Sequence, residues 1–151
     1  MELYTIDTKT FKNLFLQSAV PMWLLVGGSF VIVNNGYITL PNFDPLHKYS
    51  WMILLGMVIL AVIYAYWRKK QLKQVYDQHT FEAEIRKYQN VYRLTMGWYL
   101  FSCIVSIALY LFTTRSMFLF FALYDVVISL QYYPTRSLFK RELRNDEIIL
   151  Q

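Results

Sequence analysis

Asp125 is the residue of this chain whose setting calls for a chemical explanation. It sits in FLFFALYDVVISL, near the middle of an apolar stretch from Ser116 to Tyr133. A carboxylate at the centre of a bilayer costs about 2.5 to 3.5 kcal/mol on insertion scales, so acids there face a bundle interior and find partners, or serve ion and proton pathways. Asp125 is eight residues from the nearer end of its stretch, about 12 Å of helix. At that depth on the preceding apolar stretch lie Ser102 and Cys103. Helical spacing puts Tyr99, Ser102, Cys103 and Ser106 on one face, and Ala122, Asp125, Ser129 and Tyr132 on another. On the first apolar stretch the same depth falls near Pro21, whose ring removes the hydrogen bond that the Gln17 carbonyl would otherwise accept. The candidate intramembrane polar site is therefore Asp125, Ser102, Tyr99, Ser106 and Gln17. Two chemistries fit it. The carboxyl can join helices through Ser102 or Tyr99, a bond of about 0.6 to 2 kcal/mol in membranes, or it can bind and release a proton or cation.

The other reactive residue types form no constellation. Cys103 is the single cysteine, which excludes an internal disulfide, a Cys-rich metal site and paired-cysteine redox chemistry. His47 with Asp44 is too small a set for a metal, and His79 has no evident partners. A non-enzymatic protein without cofactor or metal is expected.

Four apolar stretches position Asp125: about 14–33, 51–67, 94–112 and 116–133. Each is long enough, or nearly so, for a hydrocarbon core of about 30 Å. Lys9 and Lys12 before the first resemble the charged start of a signal peptide. The apolar run is longer than a signal segment's and no small-x-small cleavage signal follows Val33, so an uncleaved anchor is expected.

Charge gives the orientation. Of the fifteen Lys and Arg, thirteen fall in the two tails and the second loop: Lys9, Lys12, Arg68, Lys69, Lys70, Lys73, Arg86, Lys87, Arg93, Arg136, Lys140, Arg141 and Arg144. Lys48 and Arg115 lie on the other side. The positive-inside rule then puts both termini in the cytoplasm, and the alternation requires an even number of spans. The net charge of +5 is thereby explained by topology, and no nucleic-acid partner is expected. Trp51, Tyr64, Tyr66, Trp67, Trp98, Tyr132 and Tyr133 suit aromatic belts at the headgroups.

The connections differ in character. The first loop, with Asn34, Asn35, Gly36, Pro41 and Pro45, reads as irregular. From Arg68 to Arg93 there is no Gly or Pro, and apolar residues recur at spacings of three and four. Spans two and three are expected to continue as helices and reverse near Gln78 to Thr80, with Thr80 as N-cap and Glu82 and Glu84 in the next turn. A helix lying along the headgroups is the alternative. The link Thr113 to Ser116 is short enough to make spans three and four antiparallel neighbours. After Pro134, residues 137–150 suit a short amphipathic helix, or an interfacial tail that docks on the hairpin.

The fold class expected is all-α: a polytopic membrane protein, 1–151 as one domain, with four transmembrane helices in an antiparallel bundle and a cytoplasmic helical hairpin between helices two and three. A bacterial inner membrane suits its size and economical loops. The expected function is a small subunit or scaffold that contacts the lipid bilayer and binds a protein partner or further copies of itself. The alternative is a small oligomeric proton-coupled transporter or channel subunit using Asp125.

Overall fold

The structure, a computed structural model, describes residues 4–36, 48–78, 80–143 and 148–150. In chain order these form β1 (Tyr4–Ile6), α1 (Thr8–Asn34), α2 (Ser50–Tyr76), α3 (Phe81–Thr113), α4 (Ser116–Leu130), α5 (Arg136–Leu143) and β2 (Ile148–Leu150). The described chain is essentially helical, and α1, α2 and α3 are long and apolar enough to cross a membrane. We therefore treat it as an integral membrane protein.

Helix ends follow local chemistry. Asp7 Oδ1 accepts from the Lys9 N–H at 2.9 Å and caps α1. α1 runs through Pro21 as one helix. It stops where Gly36 takes φ +67 and the Asn35 and Gly36 N–H groups donate to the Val31 and Val33 carbonyls, a left-handed closure that glycine permits without Cβ strain. α2 and α3 hold 27 and 33 residues, about 40 and 50 Å at 1.5 Å per residue. Both continue well past their apolar stretches. Thr80 occupies the N-cap position of α3 with extended backbone, but its hydroxyl makes no capping bond; Glu82 and Glu84 stand in the first turn, where carboxylates favour the helix dipole.

Two boundaries differ from the spacing of the sequence. α4 has 15 residues, about 22 Å, and its α-helical part stops at Leu130. Pro134 biases the residue before it away from helix and supplies no N–H. Gln131, Tyr132 and Tyr133 instead donate to Ile128, Ser129 and Leu130 in tighter turns. The tail is likewise a shorter helix than 137–150. α5 starts after Thr135, whose hydroxyl accepts from the Leu138 N–H at 3.3 Å, and ends at Leu143. Ile148–Leu150 runs parallel to Tyr4–Ile6, with Tyr4 opposite Ile148 and Ile6 opposite Leu150. The β-branched residues at both sites favour extended backbone.

α3 is the central helix, packed on α1, α2 and α4. One apolar cluster joins Phe11, Phe15, Ala19, Val75, Tyr88, Val91, Tyr92, Met96, Leu138, Phe139 and Leu143; a second joins Met22, Val26, Cys103, Ile107, Ala122 and Val126. The first is aromatic, with Phe11 edge-on to both Tyr92 and Phe139 at ring separations of 5.3 and 5.0 Å. α5 closes it by burying Leu138, Phe139 and Leu143. α2 is peripheral: of its residues only Ser50 and Val75 are buried.

Candidate intramembrane site

Asp125 is 5% exposed and faces inward from α4. The Ser102 hydroxyl on α3 is its hydrogen-bonding neighbour. Asp125 Oδ2 has no hydrogen-bond partner among the described residues. Asp125 lines a cavity of about 580 Å³ bounded by Val58, Ala61, Val62 and Ala65 of α2, Trp98 and Tyr99 of α3, and Phe121, Tyr124, Ile128 and Tyr132 on the α4 side, with Tyr64 and Arg68 at one end. The cavity exists because α2 leans on α3 and leaves a gap toward α4.

The five residues singled out by sequence meet different fates. Asp125, Ser102 and Tyr99 come together, and the Tyr99 ring lies 5.6 Å from that of Tyr132. Ser106 is buried nearby but donates to the Ser102 carbonyl at 2.8 Å. Ser129 likewise donates to Val126 O at 2.7 Å. These hydroxyls satisfy themselves within their own helices. Gln17 is exposed and does not line the cavity, because α1 buries the stripe through Phe15, Ser18, Ala19 and Met22. Asp44, His47 and His79 lie outside the described residues.

A second polar group was not singled out by sequence. Arg68 of α2 is only 14% exposed at its side chain and pairs through Nη2 with Glu142 of α5, itself 7% exposed. Arg68 Nε donates to Thr95 Oγ1 of α3 at 3.1 Å, and its guanidinium lies 4.7 Å from the Tyr132 ring centre. The Tyr64 hydroxyl donates to the same Thr95 oxygen at 3.1 Å, while Thr95 donates to the Val91 carbonyl at 2.8 Å. Tyr64 also stacks on Trp98, 4.5 Å apart and 5° from parallel. Tyr92 donates to the Tyr132 carbonyl at 2.7 Å, tying α3 to the end of α4. One signal for this network was present: Arg68 and Thr95 each fall one residue from an edge of their apolar stretches, so an antiparallel pair brings them level. Nothing in the sequence pointed to Glu142, which arrives through the docking of α5.

No known protein family, curated protein or solved structure matches this chain.

No three His, Cys, Asp or Glu side chains among the described residues are grouped to hold a metal. Arg68 is paired with Glu142, whereas Asp125 forms no ion pair among the described residues. Buried carboxyl oxygens normally have partners, so the open Oδ2 marks an unmet demand in a mostly apolar space.

Proposed function

We propose that this protein is a small integral membrane subunit, or scaffold, that acts by binding another membrane protein and carries out no reaction of its own. The observation that carries this reading is the exposure of much of α2. A helix that buries two of its residues within its own chain presents most of its surface to lipid or to a partner. Its side away from Asp125 forms an apolar groove with α3, lined by Leu60, Ile63, Trp67, Leu94, Gly97 and Phe101. Gly97 leaves open space where a Cβ would stand, which suits the close approach of a second helix. A photo-crosslinker at Ile63 in native membranes tests this. One discrete protein adduct is expected, its mass distinguishing a foreign partner from a second copy, and Gly97→Trp should abolish it. Adducts to lipid alone would end the reading.

The same proposal includes four spans and a cytoplasmic site for both termini. The thirteen-to-two division of basic residues supports it, as does the continuation of α4 through turns to Tyr133 before Pro134. The helical ends of α2 and α3 would then form a hairpin in the cytoplasm, and a bacterial inner membrane is the setting that its economical loops suit.

A second reading has its own support in the open Asp125 Oδ2. In it the protein couples proton or cation movement through Asp125, as an oligomeric transporter or channel subunit. Asp125→Asn preserves shape but cannot release a proton. A correctly inserted Asn variant that has lost ion flux in proteoliposomes would favour this reading; unchanged flux would end it.

A further inference from the structure

We infer that the cavity between α2 and α4 is a binding site for a lipid-soluble amine that carries at least one N–H when protonated, and whose ammonium group meets Asp125. Charge decides the polarity of the ligand. Arg68, at one end of the cavity, is already paired with Glu142. Among the described residues that line the cavity, the carboxyl of Asp125 is the acid without a counter-charge. Hydrogen bonding decides the type of cation. Oδ2 is buried and has no partner among the described residues, so a ligand that reaches the carboxylate can supply the missing donor, which an ammonium with at least one hydrogen does and a quaternary ammonium does not.

The walls decide the rest. Aromatic rings from α2, α3 and α4, among them Tyr64, Trp98, Tyr99 and Tyr124, line the space, and aromatic faces attract cations most when water is excluded. Ala61 and Ala65 hold the α2 wall back. The volume of about 580 Å³ lies within the usual range of roughly 300 to 1,000 Å³ for small-molecule sites. The apolar surroundings select a ligand that first dissolves in the bilayer, and they reject a hydrated inorganic ion. The site does not depend on transport. A ligand that binds and stays would leave it intact, and unchanged ion flux in the Asn variant would not remove it.

The test is saturable binding of three probes to the purified protein in phosphatidylcholine nanodiscs, corrected for empty discs: octylamine, octyltrimethylammonium and octanol. Octylamine should bind at least tenfold more tightly than either of the others. Asp125→Asn should lose that advantage and bind amine and alcohol alike. Ala65→Phe, on the exposed helix, should fill the space and remove octylamine binding while the protein stays monodisperse and helical. Equal binding of octanol and octylamine to the unaltered protein would overturn the proposal, since the cavity would then recognise only the chain. Undiminished octylamine binding by a folded Asp125→Asn or Ala65→Phe variant would also overturn it.

Discussion

The pairing of Arg68 with Glu142 makes a quantitative prediction about how α2 is held. Both side chains are largely buried. Removing one partner of such a pair typically costs about 3 to 5 kcal/mol, because the other charge stays behind unpaired. For Glu142→Leu the lower figure applies. Arg68 keeps its bond to Thr95 and its place over the Tyr132 ring, the latter worth about 0.5 to 2 kcal/mol. Arg68→Met should cost at least as much, since it strands Glu142 and also removes the bond to Thr95. The double variant is the informative one. Replacing a buried pair by apolar side chains is often close to neutral. It should therefore cost only about 1 kcal/mol, for the lost Thr95 and Tyr132 contacts. A double-mutant cycle, read by reversible unfolding in mixed micelles, should give a coupling of about 5 kcal/mol, more than a thousandfold in equilibrium constant. Added salt should scarcely change it, because buried pairs are poorly screened. Single costs that simply add, to within about 0.5 kcal/mol, would refute the assignment of α2 anchoring to this pair.

Other outcomes follow from packing and charge. Phe139→Ala should destabilise the protein by about 3 to 5 kcal/mol, because the ring is fully buried against Phe11 and Tyr88; a loss under 1 kcal/mol in the same unfolding assay would count against the aromatic cluster. Tyr64→Phe should cost about 1 kcal/mol by removing the bond to Thr95 while keeping the Trp98 stack, and a cost that persists in a Thr95→Val background would argue against that bond. In intact cells a membrane-impermeant thiol reagent should label Lys48→Cys and spare Asp77→Cys, both exposed positions; labelling of Asp77→Cys would overturn the proposed orientation.

The long apolar helices were legible in the sequence because hydrophobicity, and from Arg68 to Arg93 the absence of Gly and Pro, are local signals. The continuation of α2 to Tyr76 and the start of α3 at Phe81 belong to the same class. Asp125 was legible as an anomaly, and its meeting with Ser102 could be reached by counting depth along two antiparallel helices. Gln17 was not, because depth fixes a level along a helix but not the direction a residue faces. Glu142 was invisible for a different reason. Its partner depends on how a short helix turns back after Pro134, and that is set by Leu138, Phe139 and Leu143 finding the aromatic cluster. The peripheral position of α2 was also hidden, since uniform apolarity fits lipid and protein neighbours equally.

The contact between Arg68 and Glu142 spans 74 residues of chain, and this separation has a consequence for biogenesis. Arg68 leaves the ribosome early, next to an apolar helix, with no acid of its own to neutralise it. At about 5 to 20 residues per second, several seconds pass before Glu142 is synthesised. During that interval α2 is held by its contacts with α3, among them the Thr95 bond and the Trp98 stack, and its basic end stays in contact with water or headgroups. Assembly therefore finishes at the cap formed by α5, which the proposed orientation places in the cytoplasm, and α5 acts as the closing latch. A nascent chain arrested before α5 should have α2 inserted yet leave Arg68→Cys open to thiol labelling from the side of the termini, and release of the full chain should close that window.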